Sequence, residues 1–266
     1  MPFPPLHFQS FQVTFQFAGI VNLDQFRGSS DLTAGDNPLA AQVQSNAGTG
    51  RHPLTFRSLT GHTELTVAPD SASLVTSYTS DYTKSESGGQ RLAYAEEKIR
   101  ATFERFGQLG IKVIFLGTVV TAQLRGNDTD SPDKLKRAAA RAFSLNEALA
   151  EGEEVFDFQI RTSRTVGEDV FSNLGVSWFQ ERVFSMPVSP LALLSGQQLL
   201  VRDWEALTVI GEGIALTYDR NNKHGLFKGK RDWADEEFIR MAVAGLRDSG
   251  PAFDGVCKAI KRAEDG

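Results

Sequence analysis

Alternating apolar and polar residues mark the first strand. In Phe11–Phe17 (FQVTFQF), Phe11, Val13, Phe15 and Phe17 fall on one side, and Gln12, Thr14 and Gln16 on the other. That is the period of a half-buried strand with one wet face. Asn22–Phe26 opens a helical turn, and residues 28–52, rich in Gly, Ser, Asn, Thr and Ala, read as a long loop. Leu54–Leu59 and Thr63–Val67 are strands; Ala68-Pro69-Asp70-Ser71 turns the chain into Ser73–Tyr78, giving a hairpin or meander. The period then changes. Across Gln90–Phe106, Leu92, Ala95, Ile99, Phe103 and Phe106 recur at helical spacing, and Gly107 and Gly110 supply a left-handed stop. Leu109–Leu124 (LGIKVIFLGTVVTAQL) is apolar on both sides: Ile111, Val113, Phe115, Val119 and Thr121 against Ile114, Leu116, Val120, Ala122 and Leu124. It predicts a central strand covered on both faces.

Ser131-Pro132-Asp133 is a helix start, with Ser as cap, Pro at the first position and an acid in the first turn. The helix runs through Phe143. Ser144 and Glu147 have capping-box spacing and predict a second short helix to Ala150. In Glu154–Val166, Phe156, Phe158, Ile160 and Thr162 alternate with Asp157, Gln159, Arg161 and Ser163. With Gly167-Glu168-Asp169 as a turn and Leu174–Phe184 as partner, this predicts a long antiparallel hairpin with a solvated outer face. Ser189–Ser195 reads as a short helix, Gly213–Asp219 (GIALTYD) as a strand, and Arg220–Arg231 as a basic loop. Asp232 is placed to cap helix 233–247, with Phe238, Ile239, Met241, Val243 and Leu246 inward; Ser249-Gly250-Pro251 is expected to break it before a last helix carrying Phe253, Val256 and Ile260. The fold class is therefore α+β, with antiparallel or mixed sheets backed by helices. The order suggests two related β-β-α-β-type halves, 1–125 and 154–266, joined by a helical connector at 126–153, as one compact domain or two.

Composition narrows the setting. A formal net charge of −5 gives no global attraction to nucleic acid or anionic lipid. The single cysteine, Cys257, excludes an internal disulfide and a cysteine-rich metal cluster; beside Val256 and Ile260 it reads as a packing residue. The start MPFPPLHFQS lacks the basic and apolar regions of a signal peptide, and no apolar run reaches the roughly 18–20 residues that cross a bilayer. The expected location is cytoplasmic.

Candidate chemistry gathers at Asp219-Arg220-Asn221-Asn222-Lys223-His224, continuing to Lys228, Lys230 and Arg231. As an anion site, the cations would hold a phosphate or carboxylate, His224 would act as acid or base, and Asp219 would orient it. As a solvated turn, the same cations would balance Asp235, Glu236 and Glu237. His62 and Glu64 share a strand face, but spacing selects no third ligand among His7, His52 and His224, so no metal and no cofactor is expected. There is no Gly-x-Ser-x-Gly, no phosphate-cradling glycine loop and no dinucleotide fingerprint. Arg161, Arg164 and Arg182, with Trp178 or Phe179, would let the hairpin hold single-stranded nucleic acid.

The segment FRSLTGHTELTVAPDSASLVTSYTSDY, helix 90–106 and IKVIFLGTVVTAQL together resemble the middle of a sporadically distributed bacterial family of uncharacterised proteins. GIALTYD and PAFDGV occupy the places of that family's closing strand and helix. The resemblance implies a fold and a bacterial or phage context. At the family's Arg-Tyr-x-Asn signature this chain has Gly117-Thr118-Val119-Val120, and no functional residue carries over. The leading functional expectation is a non-enzymatic binding or assembly protein acting through protein contacts or self-association. The alternatives are an enzyme or sensor for an anionic small ligand at 219–231, and nucleic-acid binding through 154–184.

Overall fold

The Phe/Gln alternation of residues 11–17 lies inside a longer strand, β1 (Leu6–Phe17), which sits near the middle of the sheet. The computed structural model describes residues 3–27, 53–57, 63–78, 88–126, 131–144, 157–183, 207–230 and 232–265. After β1 come a helical turn α1 (Asp24–Arg27), the meander β2 (Leu54–Arg57), β3 (Thr63–Val67) and β4 (Ser71–Ser77), and helix α2 (Gly88–Gln108). Then follow β5 (Val113–Arg125), helix α3 (Pro132–Ala142), the hairpin β6 (Gln159–Val166) and β7 (Val170–Val183), and β8 (Thr208–Asn221). A five-residue helix α4 (Lys223–Phe227) and the long α5 (Asp235–Asp265) close the chain. The loop predicted at 28–52 and the short helices predicted at 144–150 and 189–195 lie wholly or mostly outside the described residues.

All eight strands join one antiparallel sheet in the order β2-β3-β4-β1-β5-β8-β7-β6. That order is symmetric about the β1–β5 pair: exchanging β1 with β5, β2 with β6, β3 with β7 and β4 with β8 reproduces it. Each half has four strands and closes on a long helix, α2 or α5; the second also carries α3 between β5 and β6. By this symmetry β5 groups with β6, β7 and β8.

The helices α2, α3 and α5 cover one face. Phe11, Val13, Phe15 and Phe17 point into that layer, where Phe15 meets Phe103 and Phe106 edge-on at 5.5 and 5.4 Å, and Phe103 stacks on Phe238 at 6.0 Å. Each buried ring contributes about 1.5–3 kcal/mol through burial alone. The helix stop of α2 forms as expected: Gly110 takes φ +66°, its N–H donates to Gly107, and Ile111 N–H donates to Phe106, the Schellman pattern.

Three expectations are corrected. Only one face of β5 is fully buried; Leu116, Thr118, Val120, Ala122 and Leu124 lie under the helices, while Phe115, Val119, Thr121 and Gln123 on the other face stay half-exposed. Helix α5 runs through Pro251 without a break. Its buried positions Phe238, Ala242, Gly245, Ser249, Phe253, Val256 and Ile260 keep three- and four-residue spacing across the proline, so continuous packing outweighs a local cost of about 3 kcal/mol. The helix start is Ala234 rather than Asp232: the Glu237 side chain accepts from the Ala234 N–H at 2.9 Å. Cys257 is part-buried near Val256 and Ile260, and burial pushes its thiol up to about 11. No helix among the described residues is long and apolar enough to cross a membrane.

Candidate ligand groove on the uncovered face

Strand alternation divides the predicted cluster between the two faces of the sheet. β8 continues through Arg220 and Asn221, so these residues do not belong to a loop. Arg220 points to the helix side and pairs with Asp248 of α5 at 2.5 Å. Asp219 and Asn221 point to the uncovered side. Asn222 is fully buried and ties β8 to β5: its Oδ1 accepts from Leu116 N–H at 2.9 Å and its Nδ2 donates to the Ile114 carbonyl at 3.2 Å. Arg231 lies outside the described residues.

The remaining cations lie in α4 and just after it, and Lys228 and Lys230 fasten it. Gly225 N–H donates to the Asp169 carbonyl at 2.9 Å, Lys228 Nζ to the Glu168 carbonyl at 2.6 Å, and Lys230 Nζ to the Asp169 carboxylate at 2.8 Å. The helix lies so close to the β6–β7 turn that a Cβ on Gly225 would sit 2.9 Å from that of Asp169. Lys230 holds the Asp169 carboxyl below its ordinary range, and Asp169 holds the Lys230 ammonium above its own. His224 stacks on Phe171 with ring centres 4.8 Å apart, and its Nδ1 is buried without a hydrogen-bond partner. These contacts give Lys228, Lys230 and His224 structural work; Lys223 alone of the α4 cations reaches the groove.

That groove, about 500 Å³, lies on the face that α2, α3 and α5 leave uncovered among the described residues, across β5, β8, β7 and β6 with Thr14 of β1 at its edge and α4 at one end. Phe115 and Val119 form its apolar floor, and Phe171 and Phe227 its wall. Gly117 leaves the floor open: a Cβ there would come within 3.2 Å of the Phe115 ring tip and 3.5 Å of Asn221 Cβ. Asp219 Oδ2 accepts from Asn173 Nδ2 at 2.7 Å and Oδ1 from Asn221 Nδ2 at 2.9 Å, while Arg161 lies 3.6 Å from Oδ2. Asn221 Oδ1 in turn accepts the Lys223 N–H at 3.1 Å, linking the carboxylate network to α4. Phe227 is 71% exposed, and Lys223 Nζ sits 5.3 Å from its ring centre. The site therefore offers aromatic surface, an oriented carboxylate and two accessible cations, Arg161 and Lys223.

Phe115, Phe171, Asn173 and Phe227 were not candidates from sequence. The available signal was Phe115 and Val119 on the face opposite Leu116 and Val120, apolar where an uncovered strand is normally polar. The hairpin's arginines do not share a surface: Arg161 and Arg164 fall on opposite faces of β6, and Trp178 is buried with Lys136 Nζ 5.4 Å from its ring centre. His62 lies outside the described residues, and among those described no three His, Cys, Asp or Glu side chains come together.

No protein-family model and no curated protein matches the chain.

Proposed function

We propose that this chain is a binding protein whose ligand occupies the groove on the uncovered face of its second half. The observation that carries this reading is the joining of an aromatic floor and wall to a polar network that three strands and α4 position together. Ligand sites combine apolar enclosure with a few fixed polar groups in this way. Arg161 and Lys223 at the rim, against one carboxylate, favour a ligand with an apolar or aromatic body and an anionic group. This keeps the anionic-ligand alternative at Asp219 and Lys223 of the predicted 219–231 set and adds Arg161 to them.

The test is a fluorescence titration with 8-anilinonaphthalene-1-sulfonate, an aromatic ring system bearing a sulfonate. One saturable site on the folded chain is expected, with affinity lowered about tenfold by Phe227→Ala or Arg161→Gln and an unchanged melting midpoint. Absence of saturable binding, or binding indifferent to both substitutions, overturns the reading.

A second reading, contact with a protein partner or another copy of the chain, draws on exposed Val183, Val209 and Ile210, adjacent on paired β7 and β8. Light scattering would test it: a monomer at all concentrations, with no stoichiometric partner, counts against it.

A further inference from the structure

On the helix side of the sheet, far in chemistry from the groove, four cations converge. Lys134, Arg137 and Arg141 stand three and four residues apart on α3, which places them along one side of that helix. Its other side, with Leu135, Ala138 and Ala139 buried, packs against the sheet and α5. That packing brings Lys261, near the end of α5, to face the same cleft, which measures about 490 Å³ and is floored at one side by Phe3.

We propose that this cleft binds a chain of adjacent phosphates. Three observations support the assignment. All four cations are exposed, and among the described residues none forms an ion pair, although Glu264 and Asp265 also line the cleft. The charge is also local, since the chain as a whole carries −5. Along α3 the three cations rise over about 10 Å, at 1.5 Å per residue. That spacing presents successive donors to successive phosphates rather than several donors to one. Two arginines add planar forks suited to phosphate oxygens. The phosphate chain comes either from a nucleotide, whose base would lie on Phe3, or from inorganic polyphosphate. The competing role for these cations is purely structural, as partners of the negative C-terminal end of α5.

Calorimetric titration of the full chain with tripolyphosphate at low ionic strength separates the two roles, with ADP, pyrophosphate and a twenty-nucleotide deoxythymidine strand as further probes. Tripolyphosphate is expected to bind, to weaken as salt rises, and to lose about tenfold in affinity with Arg137→Gln and again with Arg141→Gln. ADP binding tighter than pyrophosphate, and weakened by Phe3→Ala, assigns the nucleotide source; equal affinities assign the inorganic one. No tripolyphosphate binding, or binding unchanged in the double variant, overturns the proposal, as does binding of the oligonucleotide alone. A double variant that lowers the melting midpoint while the wild type binds no tripolyphosphate establishes the structural role instead.

Discussion

Across β2, β3, β4 and β1, the face away from α2, α3 and α5 carries mainly hydroxyls and amides that bond one another, with Val75 and the Glu64 carboxylate, which accepts from Thr66 at 3.4 Å, among them. Gln12 donates to Ser73 at 3.2 Å and to Thr14 at 3.4 Å, Ser10 and Thr121 share a hydrogen bond of 2.8 Å, and Thr55 meets Thr66 at 3.4 Å. Across β5, β8 and β7, the equivalent face carries Phe115, Val119 and Phe171 around an Asp–Asn network. Both halves have the same strand order and each closes on a long helix, so strand order does not account for the difference. A mainly polar face satisfies itself by mutual hydrogen bonds, whereas aromatic rings left outside the α2, α3 and α5 layer beside a fixed carboxylate are an arrangement that folding alone does not require.

Substitutions can break or sharpen this contrast. The largest expected effect comes from Gly117→Val, which fills the groove floor against Phe115 and Asn221. It should weaken the anilinonaphthalene probe by about a hundredfold, read by titration. If the affinity is retained, the floor of the site is misplaced. Next, Asp219→Ala strands the part-buried Asn173 amide and should cost about 1–3 kcal/mol in urea unfolding, a cost that no single hydroxyl of the other half should match. Phe227→Ala is expected to reduce probe affinity about tenfold while moving stability by less than about 0.5 kcal/mol, because the ring is mostly exposed. A large loss of stability would make Phe227 a structural residue.

The Asp169–Lys230 pair should give a smaller, pH-dependent effect. Asp169 is lowered in the folded chain, so its contribution is present above its ordinary carboxylate range and lost as pH falls through the lowered value. Lys230 is raised, so its contribution is present below its ordinary range and lost as pH rises through the raised value. Protection of the Gly225 amide, the slowing of its exchange relative to an unstructured chain at the same pH, should therefore fall at both extremes, and Asp169→Asn should abolish this pH dependence of protection. The smallest effect is expected from Thr66→Ala and Ser73→Ala in the ladder, which should leave probe affinity unchanged and stability within about 0.5 kcal/mol.

Much of the scaffold was legible because burial follows local periods. The Phe11–Phe17 alternation, the α2 stripe and the β6–β7 hairpin all depend on neighbours within a few residues. Where the reading departed from the structure, distant contacts decided. Phe115 and Val119 look like core in a local window, because nothing nearby reveals that their side of β5 is left uncovered. Pro251 reads as a break until the Phe238–Ile260 stripe is seen to continue past it on the sheet. For the site, sequence located Asp219 and Lys223 but grouped them with Arg220, which alternation sends to the opposite face. Arg161 and Asn173 join Asp219 only through the β6–β7–β8 register, which pairs Arg161 with Gly175 and Asn173 with Asp219.

The most direct test of the central claim is amide chemical-shift mapping of the isotope-labelled full chain titrated with the anilinonaphthalene probe. The account predicts saturable shifts at Gly117, Val119, Asn173, Asp219 and Phe227, with Gln12, Ser73 and Thr66 unmoved. Shifts centred on the hydroxyl ladder or the helix side, or none at saturating probe, would contradict it.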